Sequence, residues 1–439
     1  MINTHPNIVI IGGGAGGLEL ASKLGQKLGK SQRANITLID KNRTHIWKPL
    51  LHEVATGSLD TSLDGVSYSA HAATHGFQFI LGEFIKLDTK DQTISLKQHN
   101  DDNGKVLLPE RTLHYDKLII AIGSISNDFN TPGVAEHCYF LDSQQQAERF
   151  QHALLNSFTR VHQNSSGEQS SQLNSLSIAI VGGGATGVEL SAELIHVSGL
   201  LKHYGLSEFK STQLRIHLIE AGPTILPALP KRISDAARRE LLNLGIQVLE
   251  NTRISEANQH GFVTAEGEEI AADLMLWAAG VKVADFIKSI DGLEFNRSNQ
   301  VLVDPYLQAK GVEHVYVLGD ASACEQSDGS FVPPRAQAAH QMASSLAVNI
   351  LAELNGKAKT QFKYKDHGSL VNLSRFSAVG SLMGNLTNNS MFIEGKLARL
   401  MYVSLYRMHQ NAIHGPLKTM ALWLCEKLMR SVRPKMKLH

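Results

Sequence analysis

NIVIIGGGAGG, residues 7–17, is the stretch of sequence that decides the fold. Its first five residues form an almost unbroken apolar run, which predicts a strand buried within a parallel sheet. Residues 18–28 then read as a helix, and residues 36–39 form a second apolar run that ends at Asp40. The glycines between strand and helix have the GxGxxG spacing: Gly12, Gly14 and Gly17. A strand, a glycine loop, a helix and a strand ending in an acid are typical of a dinucleotide-binding βαβ unit.

The same pattern returns about 170 residues later as SIAIVGGGATG, residues 177–187. Its glycines again have the GxGxxG spacing: Gly182, Gly184 and Gly187. Residues 214–219 form the next apolar strand, which ends at Glu220. The repeat predicts an α/β fold with two Rossmann-like domains.

Each residue type in the two loops has a physical reason. The first glycine permits a tight turn, the second lets a pyrophosphate approach the backbone, and the third lets the helix pack on the strand. The helix N-terminus adds amide donors and a positive dipole end. Asp40 and Glu220 are placed to accept from adenosine ribose hydroxyls, and an acid at position 220 favours NADH over NADPH because it repels a 2′-phosphate. The alternative for either loop is a glycine-rich turn that binds no ligand.

Composition excludes several other classes of protein. The chain has 439 residues and a formal net charge of +1, which by itself argues against nucleic acid as a partner. Its three cysteines are far apart and no Cys/His cluster exists, so we expect no disulfide scaffold, iron–sulfur cluster or metal site. We also expect no signal peptide and no transmembrane helix, because no apolar run approaches about 18 residues.

The C-terminal region differs from the rest in charge and pattern. Residues 396–439 contain nine basic residues and one acid, so they carry +8 while residues 1–395 carry −7. Two apolar stripes at helical spacing flank Gly415 and Pro416; they comprise Leu397, Leu400, Met401, Leu405 and Met408, then Leu417, Met420, Ala421, Leu424 and Leu428. A basic amphipathic helix with a nearby Trp423 favours contact with an anionic membrane surface. The alternative is packing on the body or on a second subunit, and a homodimer is compatible with either.

At this point the sequence resembles a known family, the type II NADH dehydrogenases, which are single-subunit NADH:quinone oxidoreductases with two dinucleotide-binding domains. Three segments carry the resemblance besides the loops: WKPLLHEVATG at 47–57, Gly-Asp-Ala at 319–321, and PRAQAAHQ at 334–341, which matches the AQxAxQ quinone-site pattern. The resemblance covers almost the whole chain. Disulfide reductases and sulfide:quinone oxidoreductases need cysteine chemistry at the flavin, and residues 51–56 contain no cysteine.

The resemblance implies non-covalently bound FAD, NADH as substrate and a membrane quinone as acceptor. Segment 47–57, with Lys48 and Pro49, would run over the flavin, and Asp320 would bind its ribityl chain. The other cofactor contacts expected on this basis are Gly16, Gly123, Gly280, Gly319, Ala336 and Gln337.

Four residues are candidates for chemistry. Gln337 and Gln341 are four apart, so on a helix they share a face and could bind quinone or flavin carbonyls without charge. His340 is a candidate proton donor to reduced quinone, although a lone histidine is more often structural. Glu189 follows the second glycine loop in what we take as the first helical turn, where the resemblance implies an approach to nicotinamide and flavin. Its alternative role is compensation of the helix dipole.

We therefore expect a discontinuous FAD domain (1–130 and 300–365), an NADH domain (131–299) and a membrane-binding region (366–439). The expected activity is non-proton-pumping NADH:quinone oxidoreduction by a peripheral protein on the cytoplasmic face of a bacterial inner membrane. Two alternatives stay open: an NAD(P)H-dependent reductase of a soluble carrier, and a flavin- and NADH-binding redox sensor without turnover.

Overall fold

The computed structural model describes residues 5–101, 103–164, 175–206, 209, 211–373, 378–383, 390–394, 396–429, 436 and 437. For residues 211, 378–383, 390–394 and 396–401 it describes the backbone alone. The predicted stripe residues Leu397, Leu400 and Met401 therefore lie outside the described side chains. The chain divides into two compact units. The first unit comprises Met1–Lys48, Gly65–Ile125 and Val281–Lys365; the second unit comprises Pro49–Asp64, Ser126–Gly280 and Asp366–His439.

The first unit is built on a five-stranded parallel sheet. Its strands, in spatial order, are Val315–Val317, Lys117–Ile120, Asn7–Ile11, Asn35–Asp40 and Gln78–Leu81. The central strand is almost wholly buried because its apolar residues are covered on both faces. The strand order reverses beside this central strand, and ligands of open α/β sheets bind at such a switch point, at the carboxyl ends of the strands.

Helices and a smaller sheet complete the first unit. The main helices are Ala15–Leu24, which continues as a π-helix over Gly25–Gly29, then Tyr68–His75 and Ala336–Leu354. An antiparallel sheet consists of Phe84–Asp88, Thr93–Leu96 and Arg111–His114. Short pairs join Thr44–His45 to Val66–Ser67, His99–Asn100 to Val106–Leu108, and Val301–Val303 to Ser322–Cys324.

The second unit repeats the parallel arrangement with four strands. In spatial order they are Gln247–Leu249, Leu214–Ile219, Leu176–Val181 and Leu274–Trp277. An antiparallel sheet of Ile254–Asn258, Gly261–Thr264 and Glu269–Ala271 packs its apolar side chains in the same core as this sheet. The helices of the central part are Leu51–Thr56, Thr61–Asp64, Val134–His137, Gln144–Asn164, Ala185–Leu200 and Lys231–Asn243. The predicted α/β class with two Rossmann-like domains is confirmed.

The C-terminal part of the second unit contains a sheet that the sequence did not predict. Gly368–Asn372, Ala378–Met383 and Ser390–Glu394 pair antiparallel. Helices Lys396–His414 and Pro416–Met429 follow, and the predicted break at Gly415 is confirmed. Among the described residues, no helix is long and apolar enough to cross a bilayer.

Two details of the predicted elements are wrong. The helix after each glycine loop begins at the fourth residue of the motif, at Ala15 and Ala185, rather than after the last glycine. The glycines inside the motif do not delay the start of the helix, because they adopt helical backbone angles and differ from other residues only in lacking a side chain. Glu189 therefore lies in the second turn of its helix, not the first.

Gly187→Ala tests the close approach of helix to strand. A Cβ at residue 187 would overlap the carbonyl oxygen of Gly182, whereas a Cβ at Gly199, in the same helix, would meet nothing within 4 Å. We expect Gly187→Ala to lower the free energy of unfolding by about 1–3 kcal/mol, as overpacking does. The matched Gly199→Ala should leave it unchanged or raise it by up to about 1 kcal/mol. Urea unfolding measures both, and equal midpoints would contradict the packing argument.

Candidate functional site

The first glycine loop has the geometry that a bound pyrophosphate requires. Gly12 has φ +98°, and a Cβ there would overlap the carbonyl of Ala121, so only glycine makes this turn. A Cβ at Gly14 would meet nothing within 4 Å, so the backbone there faces open space. A Cβ at Gly17 would overlap the Gly12 carbonyl oxygen. The loop therefore brings a helix N-terminus close to the sheet and leaves its middle accessible.

The second glycine loop repeats this geometry in the second unit. Gly182 has φ +115° and no room for a side chain against Ala278. Gly184 again faces open space, and Gly187 again packs against the first carbonyl of its loop. The two loops therefore repeat in backbone geometry as well as in sequence, so each unit has its own dinucleotide-binding framework.

Each framework is closed by the acid at the end of the next strand. Asp40 Oδ2 accepts from the backbone N–H of Gly13 at 2.7 Å, and Oδ1 accepts from the backbone N–H of Asn42 at 2.7 Å. Glu220 Oε2 accepts from the N–H of Gly183 at 2.8 Å, and Oε1 accepts from the N–H of Gly222 at 2.7 Å. Burial raises the pKa of Asp40, and the two backbone hydrogen bonds act against that rise. Both acids therefore fix the loop, and their remaining lone pairs can accept from a ribose.

Two residues that the sequence analysis missed also hold the first loop. His45 Nδ1 lies 2.9 Å from the carbonyl oxygen of Gly13, and the buried Tyr68 hydroxyl donates to that oxygen at 2.8 Å. A Cβ at Gly13 would overlap the Tyr68 ring. Burial and the nearby Asp40 raise the pKa of Tyr68, so the phenol stays protonated. No local pattern links these residues to the loop.

Lys48 and Asp320 meet at one place in the first unit. Lys48 Nζ donates to the carbonyl of Ser124 at 2.6 Å, and Ser124 Oγ donates to Asp320 Oδ2 at 2.7 Å. Gln300 Nε2 donates to the carbonyl of Asp320 at 2.9 Å. Lys48 and Asp320 were predicted from the sequence, whereas Ser124 and Gln300, which connect and orient them, were not.

The other predicted cofactor residues occupy varied places. Gly123, Gly280 and Gly319 have φ of +71°, +62° and +69° and serve as turns after strands. A Cβ at Gly16 would crowd Leu318 and Ala339, so this glycine allows helix Ala15–Leu24 to pack on helix Ala336–Leu354. Ala336 is the first residue of that second helix. The carbonyl of Pro49, in the second unit, lies 2.9 Å from His52 Nδ1.

The two glutamines of the AQAAHQ segment are both hydrogen-bonded to the chain that follows their helix. Gln337 Oε1 accepts from the Tyr364 hydroxyl at 2.8 Å. The amide of Gln341 makes a bidentate pair with the backbone of Lys365, donating at 2.8 Å and accepting at 3.0 Å. Gln341 thus anchors residue 365 through the backbone, whereas Gln337 is held by the side chain of Tyr364.

His340 has a specific partner. Its Nδ1 makes a short contact with the carboxylate of Glu19, which is fully buried. Glu19 also pairs with Lys23 Nζ at 2.6 Å and accepts from Ser344 Oγ at 3.2 Å. The His340 side chain is 40% exposed. The buried carboxylate therefore orients a half-exposed imidazole, and the predicted role of His340 as proton donor stays a prediction.

Glu189 lies in a buried cluster of acids in the second unit. Its Oε1 accepts from the backbone N–H of Asn372 at 2.9 Å, and its Oε2 lies 3.7 Å from His52 Nδ1. Glu193, one turn further, is buried and accepts a short hydrogen bond from Ser58 Oγ. The buried Tyr402 lies close enough for Glu189 to raise its pKa further.

This environment changes the protonation of Glu189. Burial, and secondarily the charge of Glu53, raise its pKa to about 8, while the Asn372 N–H acts in the opposite sense. Burial also lowers the pKa of His52, which is therefore neutral at pH 7. A neutral Glu189 does not compensate the helix dipole, so the structure favours a role as a proton-bearing group.

Cys138 and Cys324 have environments that disfavour thiolate chemistry. All three are free, and burial raises the pKa of Cys138 to about 12 and of Cys324 to about 11. Thiolates are the reactive form, so the partly buried Cys138 and the buried Cys324 stay as unreactive thiols at neutral pH. Within the described part of the chain, no group of three His, Cys, Asp or Glu side chains could hold a metal ion.

Comparisons with known proteins agree with this geometry. Residues 6–343 match the family model described as pyridine nucleotide-disulphide oxidoreductase. The chain is 48% identical over 442 residues to a type II NADH:quinone oxidoreductase of Haemophilus influenzae, covering 99% of this chain and 100% of that protein. This chain belongs to the type II NADH:quinone oxidoreductases.

Two further matches share less sequence identity with this chain. One from Staphylococcus aureus is 28% identical over 392 residues, covering 88% of this chain and 91% of that protein. NDH2 of Plasmodium falciparum, solved in complex with NADH, has the same fold, with a TM-score of 0.80 at 20% identity and coverage of 98% and 100%. The family predicted from the sequence is confirmed.

The raised pKa of Glu189 makes stability depend on pH. The folded protein keeps a proton on Glu189 up to about pH 8, whereas the ordinary value is 4.5. The unfolded chain releases that proton earlier, so this contribution to stability is complete below pH 4.5 and is lost as pH rises through 8. Relative to Glu189→Gln, the wild type should lose about 1.4 kcal/mol per pH unit at most within this window.

Thermal unfolding of both proteins between pH 5 and pH 9 measures this difference. Glu266→Gln makes the same substitution at an exposed position and should leave the pH dependence as in the wild type. A pH dependence in Glu189→Gln that equals the wild type's would show that Glu189 titrates near its ordinary value.

Proposed function

We propose that this chain binds FAD in its first unit and NADH in its second, oxidises NADH and reduces a membrane quinone. The observation that carries the proposal is the second complete glycine loop with its own acid, in a chain where burial raises the pKa of Cys138 and Cys324. Two dinucleotide sites without a dithiol favour passage of electrons to a small acceptor. The 48% identity to a type II NADH:quinone oxidoreductase over the whole chain supports quinone as that acceptor.

The residues of the first unit fit FAD. The open backbone at Gly14 would face the pyrophosphate, and the Asp40 carboxylate would face the adenosine ribose. Lys48, Ser124 and Asp320 form one linked polar group, which would hold the ribityl chain and flavin ring. Bound FAD would accept a hydride from NADH and return two electrons to a quinone.

NADH fits the second unit by the same reasoning. Gly184 leaves space for its pyrophosphate, and Glu220 presents a carboxylate whose two oxygens are already fixed by backbone N–H groups. A 2′-phosphate beside this carboxylate would be repelled, so we propose NADH rather than NADPH as the substrate.

Quinone reduction to quinol also requires two protons. Glu189 holds a proton at neutral pH because its pKa is about 8, so it can donate one. In the first unit, His340 contacts the buried Glu19 carboxylate and is a separate candidate donor. Gln337 is the uncharged hydrogen-bonding partner for a quinone or flavin carbonyl, with its amide oriented by Tyr364.

The helix Pro416–Met429 supports attachment to a membrane surface. Its stripe residues are exposed rather than packed: Leu417 at 78%, Met420 at 62%, Leu424 at 54% and Leu428 at 63%. Lys427 Nζ lies 4.5 Å from the Trp423 ring, so the basic and aromatic residues are neighbours. In the preceding helix the buried residues include Tyr402, His409 and Ile413, while the predicted stripe residue Met408 is 58% exposed. An exposed apolar and basic face fits the interface of an anionic bilayer.

Stopped-flow kinetics test the activity. We expect NADH to bleach the flavin absorbance of the FAD-loaded protein, and a ubiquinone or menaquinone analogue to restore it repeatedly. Gln337→Leu should slow reoxidation by quinone about tenfold or more while leaving reduction by NADH within about twofold. Only the reoxidation step loses the amide that would bond the quinone carbonyl. Tyr364→Phe, which removes the hydroxyl that donates to Gln337 Oε1, should have a smaller effect in the same direction.

NADH oxidation that gains nothing from added quinone would exclude the proposed acceptor. Full turnover with a soluble electron carrier would then support the alternative reductase, and a single reduction without turnover would support a redox sensor.

Sedimentation with anionic vesicles tests the membrane face. The double substitution Leu417→Asp and Leu424→Asp should abolish co-sedimentation, because it places two charges on the apolar face. Leu242→Asp, at a leucine that is 44% exposed on another helix, is the matched control and should sediment as the wild type does. Activity with a water-soluble quinone analogue should be the same in all three proteins. Retained sedimentation of the double variant would refute attachment through this helix.

A further inference from the structure

The described end of the chain does not lie free but is held in a built site of the second unit. The backbone N–H of Lys437 donates to the carbonyl of Gly57 at 2.8 Å, and its own carbonyl accepts from Gln151 Nε2 at 2.8 Å. Lys437 Nζ lies 3.3 Å from Asp60 Oδ1. These contacts satisfy both backbone groups of one residue and its charge, which a loosely lying tail does not do.

The residue before it is anchored as well. Met436 is 2% exposed, and its backbone N–H donates to the Tyr204 hydroxyl at 2.8 Å. Gly57 has φ +78°, and a Cβ there would lie 2.7 Å from the Lys437 carbonyl oxygen. We call Met436 and Lys437, with these partners, the C-terminal clasp.

The C-terminal clasp binds the segment 51–60, which supplies several of the residues around Glu189 and Glu193. Helix Leu51–Thr56 ends at Gly57 and supplies His52 and Glu53, which face Glu189. Ser58, between the clasped residues Gly57 and Asp60, donates to Glu193. Among the residues that the structure describes, Tyr402 and the Asn372 N–H also face Glu189. The contacts to residues 57 and 60 therefore hold the segment that covers Glu189 and Glu193.

We propose that Met436 and Lys437 are positioning residues for quinone reduction, acting by holding segment 49–64 against the buried acids around Glu189. This inference rests on the proposed function, in which Glu189 supplies a proton. It adds a role for the tail that is separate from membrane attachment. The exposed apolar face lies on helix Pro416–Met429, whereas the clasped residues are turned into the protein.

Two truncated chains isolate the clasp. A chain that ends at Lys435 lacks it, and a chain that ends at Leu438 keeps it together with the peptide carbonyl of Lys437. Both retain helix Pro416–Met429, so both should co-sediment with anionic vesicles equally. We expect the shorter chain to lose about threefold to tenfold in quinone-dependent turnover, with flavin reduction by NADH within about twofold of the control.

The pH profile supplies a readout that a purely structural role would not move. Loosening the cover admits water to Glu189 and reduces the desolvation that raises its pKa. The alkaline limb of the quinone-dependent rate should therefore move by about half a pH unit or more to lower pH. Lys437→Gln and Asp60→Asn, which keep the chain length, should give a smaller shift in the same direction, and Lys357→Gln, an exposed lysine of the first unit, should give none.

Equal quinone kinetics and equal pH profiles in the two truncated chains would overturn the proposal. So would a parallel loss of NADH-dependent flavin reduction, since the clasp would then be general support. Failure of the proposed function is distinguishable, because the Leu438 chain would itself show no quinone-stimulated turnover. In that case the thermal midpoint between pH 5 and pH 9 reads the same shift at Glu189 without activity.

Discussion

The structure depends on one close approach, repeated in both units, between the start of a helix and the strand before it. Gly17 and Gly187 lie against the first carbonyl of their loops, where any Cβ would overlap. This contact places the helix N-terminus directly beside the open backbone of Gly14 and Gly184. Phosphate binding requires this proximity, because the helix dipole and the amide donors of a helix N-terminus act only at short range. The rest of each unit holds the two elements in this relation.

The glycine loops were predictable because their causes are local. A turn with φ near +100° and a helix packed on its own strand need glycines at fixed spacing, and apolar runs mark the strands on either side. The supports of the loops were not predictable. Tyr68 and His45 reach Gly13 from a separate part of the chain, and no periodicity reports that contact. The antiparallel sheet beginning at Gly368 was missed because its strands are short and lack a clear alternation.

The acids of the molecule show why residue type alone does not give a role. Glu220 has a backbone N–H on each oxygen, which suits a carboxylate. Glu189 has one such donor, neighbouring acids and a neutral His52, and burial raises its pKa to about 8. The sequence identified both residues but could not separate these environments, because Glu53, Asn372 and Tyr402 come from three other elements. Dipole compensation was a reasonable alternative for Glu189 until its neighbours were known.

Residues 396–439 combine an exposed apolar helix with contacts that fix the following residues to the second unit. A protein that meets an anionic surface through a basic, apolar helix must keep that helix exposed, and an exposed helix contributes little to the core. Residues 396–439 carry +8 against −7 elsewhere, so the surface attraction is concentrated there. The described residues beyond the helix return to the body, where Met436 is buried and Lys437 is bound by Gly57, Gln151 and Asp60. The chain that leaves helix Pro416–Met429 is therefore held by hydrogen bonds and an ion pair to the segment that covers Glu189, so one tail can both expose an apolar helix and support the buried acids.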